Sequence, residues 1–151
     1  MTNIFTAEGL ASFSDRIHKL TADTKPLWGK MTVDQMLAHV NVAYEMVYEP
    51  EKHPKPKGLM KWLLRKFVKP NVVNEVPYKR NSRTAPVFLI KDRKDFETEK
   101  NRLLDYLNKT QQLGASHFDG KNSHSFGPLT FTEWNNLFSK HLDHHLTQFG
   151  V

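Results

Sequence analysis

Apolar residues recur at spacings of three and four along four separate stretches of this chain, and that period restricts those stretches to helices. A helix with one apolar face must bury it against another element, so four such faces imply helices packed on each other. The first stretch runs from about Thr6 to Thr21, with Leu10, Phe13, Ile17 and Leu20 aligned. A loop, ADTKPLWGKM, punctuated by Pro26 and Gly29, follows it. The second stretch opens with a capping-box pair, Thr32 and Gln35, and a hydrophobic staple between Met31 and Met36. It continues to about Tyr48, and Val33, Met36, Val40, Ala43, Tyr44 and Val47 form its apolar face.

The third long helix is expected from about Arg93 to Leu113, with Phe96, Leu103, Leu104 and Leu107 inward and Gly114 as its stop. The fourth is the most sharply marked. Thr130 and Glu133 make a second capping box, Leu129 and Trp134 a second staple, and Gly150 a terminator. Between the second and third helices lies a long crossover. It starts with the proline-rich loop EPEKHPKPK and continues into GLMKWLLRKFVK, a short basic amphipathic helix expected to end before Pro70. Such a helix can lie on an anionic membrane, but the favoured expectation is that it packs its apolar side on the bundle or on a second copy. NVVNEVPYKRNSRTAPVFLIKD then lacks a helical period and reads as extended, with PVFLI a candidate strand that has no visible partner. The expected architecture is all-α, a four-helix bundle with a long crossover carrying a short extra helix. Its 151 residues form a single domain.

Composition removes several functional classes. With no cysteine there is no disulfide, thiol nucleophile, zinc–thiolate site or iron–sulfur cluster. No apolar run is long enough to span a bilayer, and MTNIFTAEGLASF lacks the basic start and apolar stretch of a signal peptide, so a cytoplasmic location is expected. The net charge of +6 reads first as a solubilising surface, and the cations are dispersed without a nucleic-acid-binding motif.

Eight histidines leave one chemistry open. On the fourth helix the pattern is HLDHHLTQF. Advancing about 100° per residue places Trp134, Phe138, His141, His145 and Phe149 on one face, with Lys140, Asp143 and Thr147 opposite and His144 at the edge. Imidazoles four residues apart stack one turn above the other and can reach one cation together. The alternative is a pair of core or interface histidines satisfied by hydrogen bonds. Two facing neutral rings carry four nitrogens to satisfy, and a metal would take two of them. His39 borders the apolar face of the second helix and is the candidate third ligand. His18, His53 and His117 are expected to face water, while His124 lies close enough to the fourth helix to bend back over the site. Leu142 stands where zinc proteases of the H-E-x-x-H type carry glutamate, which argues against that chemistry.

MTVDQMLAHV and FGPLTFTEWNNLFSKHLDHHLTQFG, with the helix layout, resemble the DinB/YfiT-like superfamily of metal-dependent four-helix-bundle proteins, in a branch without assigned function. The resemblance covers most of the chain. It implies a divalent ion, most often nickel or zinc, with iron or manganese as alternatives, held by His39, His141 and His145. His124 and His144, from their positions in this sequence rather than from the resemblance, are candidate additional site residues. Many members follow the last ligand with arginine, where this chain has Leu146. The resemblance further implies an enzyme, a transferase or hydrolase, acting on a small molecule such as a low-molecular-weight thiol of the bacillithiol or mycothiol type. Lys79, Arg80 and Arg83 are candidates to hold its carboxylates. A homodimer is a further expectation. The residues also leave open a non-catalytic interaction module with a structural metal or none.

Overall fold

A computed structural model describes residues 1–151, and the chain is mostly helical. The long helices are α1 (Ala7–His18), α2 (Val33–Tyr48), α5 (Phe96–Phe118) and α6 (Phe131–Gln148). Two short helices, α3 (Gly58–Leu63) and α4 (Lys69–Val73), lie in the crossover. A two-residue hairpin, β1 (Asn122–Ser123) against β2 (Gly127–Pro128), is the only sheet.

The expected helix starts are present. Thr32 and Gln35 take the capping-box positions of α2, where Gln35 Oε1 accepts the Thr32 N–H at 3.1 Å and the Thr32 hydroxyl makes no cap hydrogen bond. On α6 the Thr130 N–H donates to Glu133 at 3.0 Å, and the Glu133 N–H donates to the Thr130 hydroxyl at 3.2 Å. Gly114 takes φ 73° and breaks α5, but one further turn follows it. That turn carries Phe118 into the core, where it meets Trp134 edge-on at 5.5 Å. An aromatic column ties three helices together: Tyr44 of α2 stacks between Tyr106 of α5 at 5.7 Å and Phe138 of α6 at 4.7 Å.

Burial differs from the periodic reading in two places. From Met36 to Tyr44 every residue of α2 is buried, so the helix is enclosed rather than one-sided. Lys140 is buried too, although its angular position is opposite the Trp134–Phe138 face. The crossover covers it, and its ammonium donates to Asn71 O, Asn74 O and Asn74 Oδ1 at 2.7–2.8 Å. All three N–H bonds of one ammonium are thereby used, which makes burial of the charge tolerable.

The crossover corrects three further expectations. Its basic helix does not stop before Pro70. A π turn, Leu64–Val68, joins α3 to α4, and Lys69 N–H donates five residues back to Leu64 O. In a regular helix Pro70 would clash with the carbonyl four residues earlier, and the wider turn accommodates it. PVFLI is not a strand; Pro86–Phe88 forms a 3₁₀ turn lying on α2. The apolar side of GLMKWLL is packed only in part: Leu63 and Leu64 are half-buried, while Leu59, Met60 and Trp62 are exposed.

Lys140→Met is expected to keep the fold but loosen residues 69–78. The loss of charge-assisted hydrogen bonds should cost about 1.5–3 kcal/mol. Denaturant unfolding reads the magnitude, and hydrogen exchange confined to that segment reads the location.

Candidate metal centre

His39 projects from the middle of enclosed α2, and His141 and His145 stack one turn apart on α6. The structure brings these three together, each offering one nitrogen, with all three nitrogens within 4.8 Å of one another. His39 and His145 are buried, and His141 is partly accessible. Ring centroids are 4.5 Å apart for His39 and His145, and 4.9 Å for His141 with either partner.

Hydrogen bonds fix which nitrogens face inward. His39 Nδ1 lies 2.8 Å from the backbone carbonyl of Phe88. A carbonyl can only accept, so Nδ1 carries the proton and Nε2 keeps its lone pair. His145 Nδ1 lies 2.8 Å from Gln148 Oε1. The other end of that amide donates to Trp28 O at 2.8 Å, which sets the amide's orientation and makes His145 Nδ1 a donor. Both rings therefore present bare Nε2 atoms, the arrangement in which outer hydrogen bonds orient metal-binding imidazoles. His39 Nε2 and His141 Nε2 are 2.9 Å apart. Without an ion this contact needs a proton between the two nitrogens, donated by His141. Two nitrogens bound to one ion at about 2.0–2.1 Å lie about 2.9 Å apart at a right angle and about 3.4 Å apart at the tetrahedral angle. The observed spacing is thus already within bridging range.

Electrostatics point the same way. Burial lowers the pKa of His39, and burial with the neighbouring histidines lowers that of His141 well below the ordinary value. His145 is pushed down to about 3, chiefly by burial. The rings are neutral at pH 7, as a ligand imidazole must be. The donor set of three imidazoles without a carboxylate suits zinc, nickel, iron or copper, and suits manganese less.

The other histidines separate clearly. His144 lies beside the triad, its ring 5.1 Å from that of His145, in a cavity of about 170 Å³ with Trp28, Tyr78 and Arg80. His124 does not bend over the site; its Nε2 lies 3.1 Å from the His53 carbonyl. His53 is not exposed as expected, because Glu45 pairs with it at 2.8 Å and leaves its side chain 12% accessible. His18 and His117 face water. Of the three candidate anion-holding cations, Arg80 lines the cavity, stacked 4.4 Å over Trp28, and Lys79 and Arg83 do not. Sequence reasoning missed Gln148, Phe88, Trp28 and Tyr78. Gln148 was findable, since it stands three residues after His145 on the same helix. The Phe88 carbonyl lies in a stretch with no period to place it. Compared with protein-family models, curated proteins and solved structures, the chain shows no significant match to any of them.

A buried histidine with a depressed pKa makes stability sensitive to acid. Its contribution is complete above the unfolded value of about 6.5 and is lost as pH falls toward the folded value. Metal-free protein should therefore lose stability below about pH 6.5, by up to about 1.4 kcal/mol per pH unit for each proton taken up on unfolding. Denaturant midpoints between pH 7.5 and 5 test this. A flat profile would contradict the burial of these rings, and His145→Asn should flatten the slope in part.

Proposed function

We propose that the chain is a metal-dependent enzyme of the DinB/YfiT-like superfamily acting on a small molecule, with α1, α2, α5 and α6 as a four-helix bundle. His39, His141 and His145 hold the divalent ion, zinc or nickel. The observation that carries this reading is the pair of outer hydrogen bonds, His39 to Phe88 O and His145 to Gln148 Oε1, which leave both Nε2 atoms unprotonated in a cluster that brings one nitrogen from each of the three rings within 4.8 Å of the others. Three protein ligands leave a coordination position open, and a bound ion there would supply the Lewis acidity that turns a thiol or water into a nucleophile near neutral pH.

The chain's own residues then have separable tasks. Phe88 O and Gln148 hold two ligand rings in place and keep their protons outward. Enclosure of α2 keeps bulk water from the His39 side. The cavity walled by Trp28, Tyr78 and His144 receives the organic part of the substrate, with Arg80 at its rim. A guanidinium stacked on an aromatic ring and free of any carboxylate partner can bind a substrate carboxylate by a two-pronged contact. A low-molecular-weight thiol bearing carboxylates fits both features, and thiol transfer is the reaction proposed.

Elemental analysis of untagged protein tests the site. Near-stoichiometric zinc or nickel is expected in the wild type and its loss in His145→Ala. Gln148→Leu should weaken metal affinity about 10–100-fold while keeping the three ligands. Metal-loaded protein should accelerate thiol transfer to an electrophilic acceptor, and Arg80→Ala should raise KM more than it lowers kcat. Inactivity with every common cellular thiol would sink the transfer reaction.

A second reading has its own support. The His39–His141 hydrogen bond and the two Nδ1 bonds satisfy much of the cluster without an ion, as in a non-catalytic interaction module. Wild-type protein that stays metal-free after reloading with several divalent ions would favour it.

A further inference from the structure

The crossover helix has a surface that the histidine centre does not use. From Gly58 to Val68 no residue is buried, and Leu59, Met60, Trp62 and Phe67 are 71%, 56%, 51% and 58% exposed. Apolar side chains so exposed and so close together mark an interaction surface. The π turn gives its arrangement a pattern. By lengthening the local period toward four residues per turn, it keeps residues four apart in rows along the axis. Leu59, Leu63 and Phe67 form one row and Met60, Leu64 and Val68 the next. Lys61, Arg65 and Lys69 form the third, and Trp62 with Lys66 the fourth.

Charge decides what fits this surface. The 23 residues from Lys52 to Asn74 carry seven Lys or Arg and no Asp or Glu. Lys52 and Lys69 pair with Glu49 and Glu133 from neighbouring elements. Lys61, Arg65 and Lys66 have no acidic partner and line an open cleft with Trp62. The Lys66 ammonium sits 4.9 Å over the Trp62 ring and 5.4 Å over the Phe67 ring, cation–π contacts that keep its charge beside the exposed apolar side chains. We propose that residues 58–68 form a docking helix for an anionic lipid bilayer. Leu59, Met60 and Phe67 enter the acyl boundary, Trp62 sits at headgroup level, and Lys61, Arg65 and Lys66 meet lipid phosphates and carboxylates. A second copy of the chain fits less well, because a two-fold contact sets this patch against itself and brings like charges together. Nucleic acid would engage the cations and leave the apolar rows uncovered. No helix is long and apolar enough to cross a membrane, so the contact is peripheral. It does not rest on the histidine centre holding a metal.

Flotation of the full chain with vesicles tests this. The protein should rise with phosphatidylserine-containing vesicles at low salt and remain behind with pure phosphatidylcholine. Lys61→Gln with Lys66→Gln should lower the partition coefficient about 25-fold, about fivefold for each cation removed. Phe67→Ser should weaken binding at both low and high salt. These side chains are exposed, so circular dichroism and Tm should match the wild type. Absence of flotation, equal binding to neutral vesicles, or full binding by the charge variant would each overturn the proposal. So would a dimer in sedimentation velocity that Phe67→Asp dissolves, which would assign the face to a second copy.

Discussion

A helix enclosed on every side must satisfy its polar side chains within the protein, and α2 is such a helix from Met36 to Tyr44. Asp34, His39 and Asn41 each reach a different part of the chain, while the Tyr44 hydroxyl is buried without a hydrogen-bond partner. Asp34 Oδ2 accepts from the Lys94 N–H at 2.7 Å and from Arg93 Nε at 3.0 Å, fixing the end of the crossover ahead of α5. Asn41 donates to the Glu99 carbonyl and carboxylate at 3.0 and 2.8 Å, setting α5 against α2. His39 takes Phe88 on one side and His141 on the other. The three groups together hold the crossover, α5 and α6 in register around one helix. The histidine cluster is the part of that arrangement in which the partners are themselves imidazoles.

The C-terminal end of α6 is bound with similar economy. Arg16 of α1 reaches Asp143, Thr147 and the Val151 carbonyl at 2.7, 3.1 and 2.9 Å. On the opposite side Gln148 links His145 to Trp28, and its own backbone carbonyl accepts from the Leu27 N–H at 2.8 Å. The loop between α1 and α2 is thereby fastened to the turn of α6 that carries His145. Trp28 is both a wall of the adjacent cavity and an anchor of that fastening, so cavity and triad share a support.

The features legible in the sequence were those that repeat locally. Two capping boxes marked the starts of α2 and α6 through side chains three residues apart, and the angular position of His141 and His145 followed from helix geometry alone. His39 was harder, because on an enclosed helix the face that looks inward is not unique. Features set by distant chain were not legible. Lys140 reads as solvent-facing until residues 71–74 fold over it, and His53 reads as a loop residue until Glu45 meets it. The π turn was hidden because its cause, Pro70, ordinarily ends a helix rather than widening it. The Phe88 carbonyl belongs to backbone, and no side-chain pattern announces it.

The two hydrogen bonds that orient the His39 and His145 rings differ in how they respond to mutation. His39 leans on a peptide carbonyl, which every residue type at position 88 would supply. His145 leans on a side-chain amide that accepts with one end and donates with the other at a fixed separation, and asparagine, the other amide side chain, is one methylene short. Random mutation can therefore erase one support in a single codon change and leaves the other intact through almost any. Variation at position 148 is where the geometry of this centre is open to drift or to deliberate tuning.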